Sequence, residues 1–295
     1  MTQSSLKKFS YGVLVGPSVL LYGSFVLFPV ISCFMIGFTE WGGVGMPKFI
    51  GLTNYLTILR DPVFFLGLRN NLLVVGISVF GQIPLGFTLA YIIYRRMVRG
   101  ENFFTAMIFL PITISAIVVA ILWQQIFSPV GLYTALMRII KDNPRYVLAI
   151  LQNKTFAMVP ILFVILWMYT GLYLIIFLSN LQRINPSIIE AAIIDGATEG
   201  QILVSVIIPS MLNVLFTTMI FAITGSLTSF DLIWAMTNGG PAHYTEVIAI
   251  YMYLNTFKYA KYGFGAAVSM IIVALSFGLI SILQTIFSKF EVKYE

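Results

Sequence analysis

Protein chemistry needs groups that titrate, ligate or attack, and this 295-residue chain is poor in them. It has one histidine, His243, and one cysteine, Cys33. A metal cluster needs several such ligands and a disulfide needs a second thiol, so neither can form within the chain. No lysine is preceded by glycine, which rules out the phosphate-cradling G-x-x-x-x-G-K-[ST] loop. No G-x-S-x-G or H-E-x-x-H pattern occurs. The chain offers two other sets of residues. The first is a punctuated stretch from Arg183 to Gln201 that carries Glu190, Asp195 and Glu199. The second is a group of uncharged hydrogen-bonding and aromatic side chains. Trp167, Tyr169, Thr170 and Tyr173 lie in one apolar run, and Thr224, Ser226, Thr228, Ser229 and Phe230 lie in another, with Asp231 and Trp234 just beyond. Hydroxyls and aromatic faces together suit a solute rich in hydroxyls with apolar ring faces. They also have plainer uses, as helix-packing hydroxyls and as rings at a bilayer surface.

The elements that position these residues are apolar. Hydrophobic residues make up 59% of the chain and charged residues 9%, against roughly 25% charged in a soluble domain. So few charges cannot cover a water-soluble surface, and the bilayer is the solvent this composition fits. Six segments are long enough to span it: about 11–38, 70–94, 103–127, 157–179, 208–230 and 265–287. None contains Asp, Glu, Lys, Arg or His. The first follows Lys7 and Lys8 and is too long for a cleaved signal, so it is read as a retained span. Pro29, Pro84, Pro111 and Pro160 are expected to kink their spans. The net charge of +6 is assigned to loops beside spans and not to nucleic acid. The tightest basic cluster, Arg95-Arg96-Met97-Val98-Arg99, sits in the shortest loop. Short loops follow the positive-inside bias best, which puts both termini in the cytoplasm.

Transporters driven by protons or ions keep ionisable residues inside the bilayer. These spans hold none, and the chain has no ATP-binding loop. Any uphill movement of solute must draw its energy from a partner. The stretch 180–207 is where a partner could act. Asn185 can cap a short helix with Pro186 at its first position, Gly196 can end it in a left-handed conformation, and Thr198 with Gln201 has capping-box spacing for a second helix toward Pro209. The first helix, about ten residues, is below the length that stands alone in water. It carries an apolar ridge of Ile189, Ala192 and Ile193. Two covers are available: the chain's own span ends, or a groove in a cytoplasmic partner.

Glu190-Ala191-Ala192, then Asp195-Gly196-Ala197, then Ile208-Pro209, resembles the EAA loop of ABC-importer permeases. Gly51-Leu52-Thr53-Asn54-Tyr55 with Asp61-Pro62, Leu110-Pro111 followed by Trp123, and Thr237-Asn238-Gly239-Gly240-Pro241 followed by Thr245 and Tyr253 resemble the carbohydrate-importer branch of maltose and glycerol-phosphate type. Phe38-Thr39-Glu40-Trp41 is similar to the first of its two permeases. The resemblance covers about 40–290. It implies an all-α membrane protein of about six transmembrane helices, a single permease domain over 1–295, with a cytoplasmic coupling helix at 185–196. Glu190, Ala191, Ala192, Asp195 and Gly196 would face an ATPase subunit. The positions near Tyr169, Ser226 and Ser229 would line the solute pathway, and residue type adds Trp167, Thr170, Tyr173 and Phe230 to the candidates. The implied partners are a second permease, two ATPase subunits, an external solute-binding protein and a sugar substrate. ATP and Mg would be bound by the partners, with no cofactor and no catalysis in this chain. The implied location is a bacterial or archaeal cytoplasmic membrane. Importers of another solute, such as a glycerol-phosphate ester, and secondary transporters are the alternatives.

Overall fold

The computed structural model describes residues 15–291. Lys7, Lys8, Lys293 and the expected start of the first span lie outside the described residues. Among the described residues, five helices are long and apolar enough to cross a membrane: α1 (Val15–Ile36), α3 (Pro62–Tyr94), α7 (Met158–Leu181), a span Leu212–Thr237 made of α10 (Leu212–Leu227) and α11 (Asp231–Thr237), and α13 (Tyr262–Glu291). A sixth is a bent pair, α4 (Glu101–Thr113) and α5 (Ala116–Ile126). Short helices α2 (Thr53–Ile58), α6 (Leu132–Ile140), α8 (Pro186–Ile194), α9 (Glu199–Ser210) and α12 (Ile248–Tyr253) complete the order.

Prolines shape several of these helices. Proline has no N–H, and its ring collides with the carbonyl four residues back. The wide turns Gly23–Leu27, Ser78–Gln82 and Leu203–Ile207 lie just ahead of Pro29, Pro84 and Pro209. In the second of these, the Ile83 N–H bonds to Ser78 O five residues back, one residue wider than an α-turn. The helix thus continues past the proline without a break. Pro160 sits in the first turn of α7, where a missing N–H costs nothing, and the expected kink there is not needed. After Pro111 the effect is larger than a kink. Ile114 and Ser115 take extended conformations, and α5 leaves α4 at 96°. The Thr113 hydroxyl bonds back to Leu110 O (2.8 Å or less is typical of such strong bonds; here 2.7 Å), a local competitor of helix continuation.

The chain divides into two compact units. The first takes the residues up to Asp61 together with Met252–Val273. In it, a two-stranded hairpin, β1 (Thr39–Glu40) against β2 (Lys48–Phe49), follows α1. The buried Asn54 amide donates to Gly37 O (3.0 Å) and Thr39 O (2.9 Å), tying α2 to the chain between α1 and the hairpin.

The second unit takes Pro62–Tyr251 and the segment from Ala274. Here α7 is the central helix: half of its most apolar window is buried, against none of α1's. Gly171 lets α4 approach α7 closely, since a Cβ there would lie 2.4 Å from Ile108 O. Helix α3 begins at Pro62, eight residues before the expected start at 70, because the exposed Arg69 is simply carried on its outer face.

Candidate functional site

A cavity of about 310 Å³ lies in the second unit, between α3, α7, α10 and the start of α11. Each wall has a local cause. On α3 the wide turn Ser78–Gln82 brings both of its end residues to the cavity. The Gln82 amide donates to Ile165 O of α7 (2.8 Å). The Ser226 hydroxyl of α10 donates to Ser78 Oγ (3.1 Å). Behind this wall, fully buried Asn71 donates to Ser226 O (2.8 Å) and accepts from Ile248 N–H (2.8 Å). Its neighbour Asn70 donates to Tyr244 O and Glu246 O. Two adjacent amides therefore pin the end of α10 and the start of α12 to one turn of α3.

The helical path then stops at Thr228–Phe230, and α11 begins at Asp231. This break presents Ser229, Phe230 and Asp231 to the cavity. The Ser229 hydroxyl is buried and makes no protein hydrogen bond, so both its donor and its acceptor capacity are unused. Phe230 stacks on Trp234 at 5.5 Å and 13°. Asp231 is the one charged residue of the lining.

Five of the seven expected pathway residues share this cavity: Tyr169, Tyr173, Ser226, Ser229 and Phe230. Trp167 and Thr170 are turned elsewhere, toward a separate hollow shared by α3, α4 and α7. Trp167 packs edge-on against Trp123 (5.5 Å), and Thr170 bonds back to Leu166 O (2.6 Å). At about 100° per residue, position 167 lies on the opposite side of α7 from 169 and 173, whereas 170 is only about 60° from 173 and sits at the edge between the two hollows. Asn71, Ser78 and Gln82 were missed. Their i, i+7, i+11 spacing on one face of an apolar helix was the available signal.

The loop after α7 is built as its punctuation requires. The Asn185 side chain accepts from Ser187 N–H (3.1 Å). Gly196 has φ +81°, and the Ala197 N–H returns to Ala192 O (2.9 Å), closing a Schellman turn. Thr198 and Gln201 complete the capping box at the start of α9. The ridge on α8 is split. Ile189 is 5% exposed and packs in an apolar cluster with Tyr91, Leu181, Ile202 and Ile207, and Ala192 lies against that cluster. Ile193 is 52% exposed and Ile194 84%, alongside exposed Ile188, Glu190, Ala191 and Asp195. The chain's own span ends cover one side of α8, and the other side is an open apolar face with two acids beside it.

One contact of this loop reaches back to the end of α3. Glu199 receives Arg95 Nε and Nη2, each at 2.6 Å and on different oxygens, together with the Tyr91 hydroxyl. These bonds hold the Glu199 carboxyl below the usual carboxylate range, Arg95 first and Tyr91 second, and they raise Arg95. The pairing also sets the loop after α3 and the loop after α7 at the same end of the unit. Among the described residues, no group of three His, Cys, Asp or Glu could hold a metal ion.

Known proteins share this fold. Two solved chains from bacterial transporters that import alginate, an acidic polysaccharide, superpose on it. One has a TM-score of 0.83 over 97% of this chain and 99% of its own, at 20% identity, which is a likeness of fold. The lactose transport system permease LacF of Rhizobium radiobacter is 32% identical over 96% of both chains. The multiple sugar-binding transport system permease MsmF of Streptococcus mutans is 32% identical over 93% of both. A probable ABC transporter permease of Pyrococcus horikoshii is 32% identical over 88% of this chain and 89% of its own. Residues 82–290, which hold the cavity's main walls and the loop with α8, match the model of one family, and the chain belongs to it: the inner membrane components of binding-protein-dependent transport systems.

Proposed function

We propose that this multi-pass chain is one of two permease subunits of an ATP-driven importer for a neutral sugar or oligosaccharide. The cavity carries the reading. Its polar groups are hydroxyls, one amide and one carboxylate, set among the rings of Tyr169, Tyr173 and Phe230, which is a mixture that recognises a hydroxyl-rich ring. The names of LacF, MsmF and the arabinooligosaccharide permease AraP of Bacillus subtilis favour the same class. A glycerol-phosphate ester fits less well: a phosphate calls for basic partners, and the lining has Asp231 and no cation.

In this reading an external binding protein delivers the sugar, and two ATPase subunits bind ATP and Mg and dock beneath the permease pair. The open face of α8, with Ile188, Glu190, Ala191, Ile193 and Asp195, is the docking surface, held at its angle by the Gly196 turn. The end of the unit that carries Arg95, Arg96, Arg99 and α8 is cytoplasmic, as are both termini. The test is uptake into proteoliposomes that hold the complete transporter with its binding protein. Neutral oligosaccharides are expected to enter on ATP addition and sugar phosphates to stay out. Entry of charged, non-sugar solutes alone would reject the reading.

A further inference from the structure

Three side chains join the last turn of α3 to the first turn of α9, and neither the cavity nor the docking face uses them. Arg95 meets Glu199 with two separate N–H donors, and the Tyr91 hydroxyl reaches the same carboxylate. An isolated surface ion pair is a weak tie, but a forked guanidinium–carboxylate contact fixes direction as well as distance. Tyr91 adds stiffness because its ring is buried, 8% exposed, with Ala90 and Ile93, in the cluster that also takes Ile189 of α8 and Ile202 and Ile207 of α9. The segment between α8 and α9 is short and capped at both ends, by the Gly196 turn and the Thr198–Gln201 box. The turn and the cap fix the short segment between Ile189 and Glu199 at both of its ends.

The other end of the same path is the cavity. Helix α3 runs unbroken from Gln82 to Tyr94, one residue before Arg95, a rod of about 20 Å at 1.5 Å per residue. It carries Ser78 and Gln82 in the cavity wall, where they bond to α10 and α7. We propose that Arg95, Tyr91 and Glu199 form a strut that passes displacement of α8 along α3 to the cavity wall, in parallel with the covalent route through α9 and α10. They are positioning residues: they touch neither the solute nor the docking face. This rests on the reading of α8 as the docking helix.

The chain has a single cysteine, so Cys33→Ser clears the background for a reporter. Gly225 lines the cavity, and a Cβ there meets nothing within 4 Å. Gly225→Cys in the assembled transporter is treated with N-ethylmaleimide, with and without the non-hydrolysable analogue AMP-PNP, and its alkylation rate is followed. In the parent the nucleotide is expected to change that rate several-fold. Glu199→Gln keeps the side-chain volume and is expected to shrink the change to less than twofold, with nucleotide binding to the ATPases unaltered. The swapped pair Arg95→Glu with Glu199→Arg is expected to recover part of the response, which a merely structural loss would not do. Tyr91→Phe, which removes a single hydroxyl, is expected to fall between parent and Glu199→Gln. A parent-like response in Glu199→Gln overturns the strut alone. No nucleotide response in the parent overturns the docking reading and takes the strut with it.

Discussion

The cavity and the α8 loop are both polar features in an apolar chain, but they are polar in opposite ways. In the cavity wall the polar groups are buried and paired mainly with backbone groups far away in sequence, as Asn71 pairs with Ser226 O and Ile248 N–H. In the loop, Glu199 apart, they are exposed and paired with near neighbours, as Asn185 pairs with Ser187 and Thr198 with Gln201. A buried amide that loses its partners leaves unsatisfied groups with no water to replace them. An exposed cap that is lost is replaced by solvent at a lower cost. The difference predicts that substitutions of the buried, paired amides behind the wall break the fold first, and substitutions in the loop break function first.

The largest effect is expected at Asn71. Asn71→Leu strands the Ile248 N–H and frees two carbonyls at the end of α10, which costs about 1–3 kcal/mol per stranded group. Purified transporter should show a clearly lowered melting temperature and reduced yield of the assembled complex. Thr198→Ala, on the loop, should cost about 1 kcal/mol or less and leave yield unchanged. Equal losses at the two sites would erase the distinction.

Next is the open face of α8. Ile193→Glu places a charge in the proposed docking surface, and Glu190→Lys reverses one. Each is expected to lower binding-protein-stimulated ATP hydrolysis by about tenfold, the equivalent of roughly 1.4 kcal/mol of lost docking, with the permease still folded. Gly196→Val should act in the same direction more weakly, because a β-branched residue resists φ +81° by on the order of 1 kcal/mol. Full stimulation in all three would remove α8 from the coupling route.

The wall's own lining should sharpen the comparison from the other side. Tyr169→Ala and Ser229→Ala are expected to cut uptake several-fold without altering assembly. Trp167→Ala, on the other side of α7, should leave uptake near the parent level. A Trp167 variant that loses as much as the Tyr169 variant would mean that the cavity between α3, α7 and α10 is not the route.

The loop was legible because its signals are local. Asn185-Pro186, Gly196 and Thr198–Gln201 lie within a few residues of the groups they satisfy, and all were placed correctly as caps and turns. The cavity was legible only in part. Tyr169, Tyr173, Ser226, Ser229 and Phe230 stood out by residue type, but residue type alone also admitted Trp167, which the helical angle turns away, and Thr170, which lines the neighbouring hollow. Ser78 and Gln82 reach the wall because a wide turn ahead of Pro84 rotates them there, and a proline read simply as a kink does not reveal that rotation. The Arg95–Glu199 contact joins residues more than a hundred positions apart. One sequence shows both as charges beside spans and gives no sign that they meet. The division of the α8 ridge had the same origin: periodicity named Ile189, Ala192 and Ile193 as one stripe, and only the position of Tyr91 and Ile202 decided which side of it is covered.

The smallest expected effect is electrostatic. Glu199 has a carboxyl held below its usual range by Arg95 and then by Tyr91. A group whose value is lowered by folding adds stability above its unfolded value, about 4.3 for glutamate, and that contribution fades as the pH falls through the folded value. The carboxylate side chain is 43% exposed, so water and salt screen the pair and its contribution stays within about 1 kcal/mol. The melting temperature of the parent transporter should therefore exceed that of Glu199→Gln by a small, constant margin between pH 7 and about pH 5. The margin should close below about pH 4, as protonation gives the parent a neutral side chain like the variant's. Added salt should narrow it at neutral pH. A margin that widens in acid would mean that the carboxyl gains its stability from the protonated form. The contact with Arg95 would then not be the ion pair that the two 2.6 Å bonds describe.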